Sequence, residues 1–159
     1  MRSVHLKVFE NRCAKCGLEF FSLHLSRDYD LVIYTTQHGD MRFLDPDSDA
    51  VWPQVKILLD HSIGEWAKNT TERARIFHSL LARTIDPSDS GDIYYSPWET
   101  TPCSRCGGTE RLHFNPVDPP RFQDVAIEEV THNRWQKLSE EERRQEAELA
   151  VSRYATQQR

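Results

Sequence analysis

The chain has 159 residues, with 20 Lys/Arg against 25 Asp/Glu, so its formal net charge is −5; 28% of residues are charged and 38% hydrophobic. That length and composition suit one globular domain and exclude a disordered polyelectrolyte. No apolar run approaches the roughly 20 residues of a membrane-spanning helix, and no Gly/Ser- or Pro-rich linker divides the chain.

In chain order, Val4–Phe9 and Leu18–Leu25 alternate as two strands of a hairpin. The β-branched run Leu31–Thr36 and the segment Met41–Leu44, joined at Gly39-Asp40, predict a second hairpin. Two helices follow. In the first, Val51, Val55, Leu58 and Leu59 share a face, and Pro53 must lie in the first turn. In the second, Asn69 and Glu72 stand at capping-box spacing ahead of the stripe Ile76, Phe77, Leu80 and Leu81. Residues 86–92 predict a loop, and Tyr94–Trp98 a return path.

Arg111–Phe114 reads as a strand, and Pro116, Pro119 and Pro120 interrupt whatever follows it. Val125–Val130 is a further candidate strand, weakened by Glu128-Glu129. Ser139 and Glu142 cap a last helix whose apolar stripe, Ala147, Ala150, Val151 and Tyr154, is thin enough to predict a surface helix or weak docking. Burial of most of Trp52, Trp66, Trp98 and Trp135 is the default expectation.

All four cysteines fall in two near-identical units, Cys13-Ala14-Lys15-Cys16-Gly17 and Cys103-Ser104-Arg105-Cys106-Gly107. A two-residue spacer lets both sulfurs of a unit face one point, and the following glycine permits the turn that aims backbone amides at them. Two units supply four thiolates, a closed tetrahedral shell for one structural zinc at Cys13, Cys16, Cys103 and Cys106. Disulfides fit poorly with a chain whose start shows no signal-peptide pattern, and a redox CxxC needs only one pair. An iron–sulfur cluster uses the same ligands and stays open as the alternative. Reduced thiols point to the cytoplasm.

This pattern resembles the zinc ribbon superfamily, in which two CxxC knuckles at hairpin tips hold one metal. The resemblance covers only the knuckles and their flanking strands. It departs from the usual pattern in that 86 residues lie between Cys16 and Cys103. The resemblance therefore implies an α+β protein with a discontinuous ribbon. Its halves are 1–27 and 93–121, residues 28–92 form an inserted hairpin and two-helix unit, and 122–159 form a C-terminal extension, all within the single domain 1–159.

No catalytic constellation stands out: GxSxG, HExxH, GxGxxG and the phosphate-binding loop are missing. Asp45, Asp47 and Asp49 begin like a calcium loop, but Ala50 and Lys56 occupy the positions that need Gly and Glu. Asp60-His61-Ser62 cannot converge on one reacting centre from adjacent positions. Charge is uneven, with residues 1–27 and 101–121 net basic and residues 28–100 net acidic. The basic part is accounted for by Arg12, Lys15 and Arg105 beside a four-thiolate zinc of formal charge −2.

Two roles follow. The first is a protein-binding module, of inhibitor or immunity type, whose acidic residues (Asp45, Asp47, Asp49, Asp86, Asp89, Asp92) face a basic partner. The alternative is a nucleic-acid binder that uses Arg12, Lys15, Arg105 and Arg111 on phosphates and Phe20 or Phe21 on bases.

Overall fold

The computed structural model describes residues 1–26, 30–62 and 65–157. It is a mixed α+β fold of seven strands and four helices: β1 (Arg2–Cys13), β2 (Glu19–Leu25), β3 (Val32–Thr36), β4 (Met41–Leu44), α1 (Val51–Ser62), α2 (Thr70–Thr84), β5 (Tyr94–Tyr95), β6 (Arg111–Pro116), β7 (Phe122–Glu129), α3 (Asn133–Gln136) and α4 (Glu140–Gln157). The expected boundary between residues 27 and 28 lies outside the described residues.

β1 is the spine. Its 12 residues pair along one flank with β2, while the other flank takes β7 over Arg2–Lys7 and β6 over Phe9–Cys13. Of the three prolines, Pro116 is itself the last residue of β6, paired with Phe9, while Pro119 and Pro120 fall in an excursion within one paired flank. The Val117 N–H donates to the Val8 carbonyl (3.1 Å) and the Val8 N–H to the Arg121 carbonyl (3.0 Å), so residues 117–121 loop out and return to the same strand.

The strand order is β2-β1-β7-β4-β3-β5, with β6 also on β1. Among the described residues only the β4–β7 pairing is parallel. The second hairpin is thus a continuation of the sheet that carries the cysteines. Its two faces are buried in opposite directions, as period-2 alternation dictates. Tyr34 and Leu44 join the larger core with Val51, Val55 and Leu59 of α1 and Ile76, Leu80 and Leu81 of α2. Ile33 and Phe43 instead meet Val4, Leu6 and Ile127. Leu23 and Leu25 of β2 pack on that smaller core together with Leu31 and Ile33, so the sheet curls until its distant strands β2 and β3 face each other.

Both predicted helix starts in the 51–84 region form. Asp49 Oδ1 accepts from the Val51 and Trp52 amides (2.9 and 2.8 Å), with Pro53 in the first turn as required. Asn69 Oδ1 accepts from the Glu72 amide (2.9 Å), but Glu72 reaches back to the Lys68 amide rather than to that of Asn69. At α4 the capping box is reciprocal between Ser139 and Glu142.

Three expectations are corrected. The return path contains a strand, β5, paired with Thr35 and Thr36. β7 begins at Phe122, because its acidic residues lie on a strand whose outer positions are exposed. α4 does not lie loosely on the surface: Ala147 and Ala150 are 0% and 4% exposed in the main core, since alanine lets a helix backbone approach closely where a larger residue would hold it off. Of the tryptophans, Trp66 and Trp135 are buried, Trp52 is half-buried, and Trp98 is exposed.

Candidate metal centre and the groove beside it

The two cysteine units fold into geometrically equivalent turns. The Gly17 N–H donates to the Cys13 carbonyl (3.0 Å) and the Gly107 N–H to the Cys103 carbonyl (2.8 Å). Both glycines sit at φ near +70° (72° and 71°), a conformation that L side chains rarely adopt. The Cys13 and Cys103 amides close each turn on the carbonyls of Leu18 and Gly108, each at 2.9 Å. Since β6 lies antiparallel on β1, the turns meet at one end of the sheet; the Ala14 amide donates to the Glu110 carbonyl (3.0 Å).

The four sulfurs converge. Cys13 Sγ is 3.5 Å from Cys106 Sγ, Cys16 Sγ is 3.6 Å from Cys103 Sγ, and all four lie within 4.8 Å of one another. Four thiolates about 2.3 Å from a tetrahedral ion stand about 3.8 Å apart, so these residues could hold a metal ion. The distances are too long for disulfides, and all four cysteines are free. Among the described residues no His, Asp or Glu joins this cluster.

The electrostatics also fit a cation. The Cys16 amide, outweighing burial, with further help from the Lys15 amide, holds the Cys13 thiol down to about 6. Cys103 is lowered in the same way, chiefly by the Cys106 and Arg105 amides. Cys106 receives the Gly108 N–H, which lowers it, yet burial and the neighbouring sulfurs push it up to about 11. Crowded thiols cannot all ionise without a counter-charge, and a divalent ion supplies one.

Sequence reasoning missed two supports of this centre. Gln37, at the tip of the second hairpin, donates from Nε2 to the Cys103 carbonyl (2.9 Å). Gly108 leaves room that a Cβ would fill, at 3.1 Å from Lys15 Cβ and 3.3 Å from Cys106 Sγ. Neither has a motif signal of its own.

The residues assigned to partners divide. Arg12, Lys15 and Arg105 are exposed. Arg111 is committed to the fold: its guanidinium donates to the carbonyls of Thr101 (2.5 Å) and Gly108 (3.1 Å) and lies 5.0 Å over the Phe20 ring. Among the acids, Asp49 caps α1 and pairs with His132, and Asp86 accepts from Thr131, Asn133 and Arg134. Asp45 pairs with Arg2, and Asp92 with His38. Asp89 is exposed. Asp60 accepts from Trp66 Nε1 and Arg73, which gives it a packing role.

A groove runs beside the centre along β2. β2 ends the sheet, and among the described residues no strand pairs with its outer edge. One concavity of about 400 Å³ is lined by the five consecutive residues Phe20–His24, and another of about 430 Å³ by Leu23–Leu25 and by Leu31–Ile33 of the facing strand. Consecutive strand residues point to opposite faces, so a space that touches all of them lies at the strand's edge. The far wall is the 96–101 turn, held by Glu99, which accepts from Ser79 Oγ (2.8 Å) and the Ser96 amide (3.1 Å). Trp98 stands on it, stacked at 6.1 Å over His78, whose imidazole burial pushes down to about 4.

Comparison with protein-family models, curated proteins and solved structures returned no significant match. Among the described residues no helix is long and apolar enough to cross a membrane.

Proposed function

We propose that this protein is a zinc-stabilised protein-binding module of a reducing compartment, the cytoplasm, that takes an extended segment of a partner along the free edge of β2. Zinc at Cys13, Cys16, Cys103 and Cys106 is structural, since four thiolates leave no coordination position for substrate. The short inter-sulfur distances favour one ion over a cluster, in which the cysteines ligate several irons. A discontinuous zinc ribbon describes β1, β2, β6 and the two knuckles. The metal joins them beside the groove and so holds the receiving edge in place.

The observation that carries the binding role is the edge of β2, bordered by Phe20–Leu25, which no strand pairs among the described residues. An added strand satisfies the edge's backbone groups and places alternate side chains against Leu23, Leu25 and Trp98. The acidic residues that the sequence assigns to a partner contribute less, because most are engaged within the fold. Selection of a random peptide library on the zinc-loaded protein tests this reading. Binding of the selected peptides should fall about tenfold or more in Trp98→Ala and Phe21→Asp. Retention of full affinity by both variants contradicts it.

Nucleic acid is the second reading, favoured by Arg12, Lys15 and Arg105 beside the centre and by Phe114 and Trp98, which are 47% and 48% exposed. Tight binding to random oligonucleotides that weakens steeply with salt would replace the first reading by this one.

A further inference from the structure

A further cavity, of about 250 Å³, opens between α2, β5, α3 and α4; no cysteine and no β2 residue lines it, while Tyr95 and Glu99 border both it and the β2 groove. Three arginines from three different helices, Arg83, Arg134 and Arg153, line it. Among the described residues none of their guanidiniums makes an ion pair or hydrogen bond. Glu99 and Glu146 also line the cavity, leaving its charged lining one positive charge in excess within a chain of net charge −5. Glu99 is occupied by Ser79 and the Ser96 amide. Desolvation first, and then the like charge of Arg153, hold Arg83 below its ordinary value. Ser79, Tyr94 and Tyr95 add hydroxyls to the wall, and its apolar part includes Ile93, Leu138 and Trp135, whose buried indole N–H has no partner among the described residues.

We propose that this cavity binds a small organic anion, with a carboxylate or phosphate held by Arg83 and Arg153 and an apolar body against Ile93 and Leu138. Guanidinium groups suit such oxyanions because their planar forks match carboxylate and phosphate geometry bidentately. Arg134 adds attraction from α3. An anion between Arg83 and Arg153 relieves the like-charge repulsion that neither carboxylate relieves by direct pairing. Arg83, Arg134 and Arg153 are exposed at the cavity and unpaired among the described residues, whereas Arg144, also exposed on α4, pairs with Glu141 and Glu148.

The test follows the Trp135 indole resonance in ¹H–¹⁵N spectra while phenyl phosphate, benzoate or inorganic phosphate is added to the full zinc-loaded chain. Phenyl phosphate or benzoate should give a saturable shift with a Kd below about 1 mM, and inorganic phosphate, which lacks the apolar body, a weaker one. Arg83→Gln and Arg153→Gln should each weaken binding about tenfold, and Glu146→Gln should tighten it. Unchanged zinc content and amide dispersion in these variants separate lost binding from lost folding. No saturable shift up to about 10 mM, an equal shift from sodium chloride at matched ionic strength, or undiminished binding by both arginine variants would overturn the site.

Discussion

Asp49 Oδ2 lies 2.9 Å from His132 Nε2, joining residues 83 positions apart at a point where both side chains are 6% exposed. The other ring nitrogen of His132 faces the Thr84 carbonyl (3.1 Å) and hydroxyl (3.0 Å), so this one contact ties the start of α1, the end of α2 and the turn after β7. Removing the imidazole leaves the buried carboxylate with only the Val51 and Trp52 amides as partners. His132→Ala should therefore cost about 3 kcal/mol or more, measured by denaturant unfolding.

The same pair sets an acid limit. Burial pushes the Asp49 carboxyl up, but the hydrogen bond and charge of His132 and the amides of Trp52 and Val51 outweigh it, and the carboxyl titrates below its ordinary value. A depressed folded value means that the stabilisation is complete above the unfolded pKa, about 3.9, and is lost as pH falls through the folded one. Asp49→Asn should be less stable than wild type at neutral pH and should lose less stability on acidification below pH about 4. Equal acid sensitivity of the two proteins would contradict the assignment.

Asp86 and Asp89 separate a structural acid from a surface one. Asp86 receives the Arg134 and Asn133 amides and the Thr131 hydroxyl, whereas Asp89 is exposed on the loop before β5. Asp86→Ala should cost about 1–2 kcal/mol, in the range of lost helix caps, and Asp89→Asn less than about 0.5 kcal/mol. Thermal melts of the two variants measure the difference.

Gly17 and Gly107 hold equivalent left-handed positions with open space around them, so alanine there adds backbone strain of about 1–2 kcal/mol without a clash. Gly108 is the reverse case. Its strain-free backbone crowds Lys15 and the Cys106 sulfur once a Cβ is added. Gly108→Ala should weaken metal retention against a chelator, and Gly108→Ser should do so at least as much.

Local signals account for much of what the sequence made legible. The knuckles, both hairpins, the 51–84 helices and the Ser139 box each rest on spacing or on residues close in the chain. The long-range pairings had no such mark. β7 enters the sheet in parallel beside β4, which its Glu128-Glu129 concealed, and two-residue β5 is too short to show a period. The docking of α4 was misjudged because Ala147 and Ala150 contribute little hydrophobicity while permitting close approach. Gln37 and Gly108 reach the metal centre only through tertiary contact. The edge groove along β2 likewise follows from strand order, which composition does not encode.

Metal content of the protein, purified without chelator and measured beside its Cys13→Ser, Cys103→Ser and double variants, tests the central claim most directly. One shared site predicts one zinc per wild-type chain and similar destabilisation by either substitution. The double variant should then lose far less than the two losses added together. Two metals per chain, iron with visible absorbance, no metal at all, or additive losses would contradict a single zinc centre built from both knuckles.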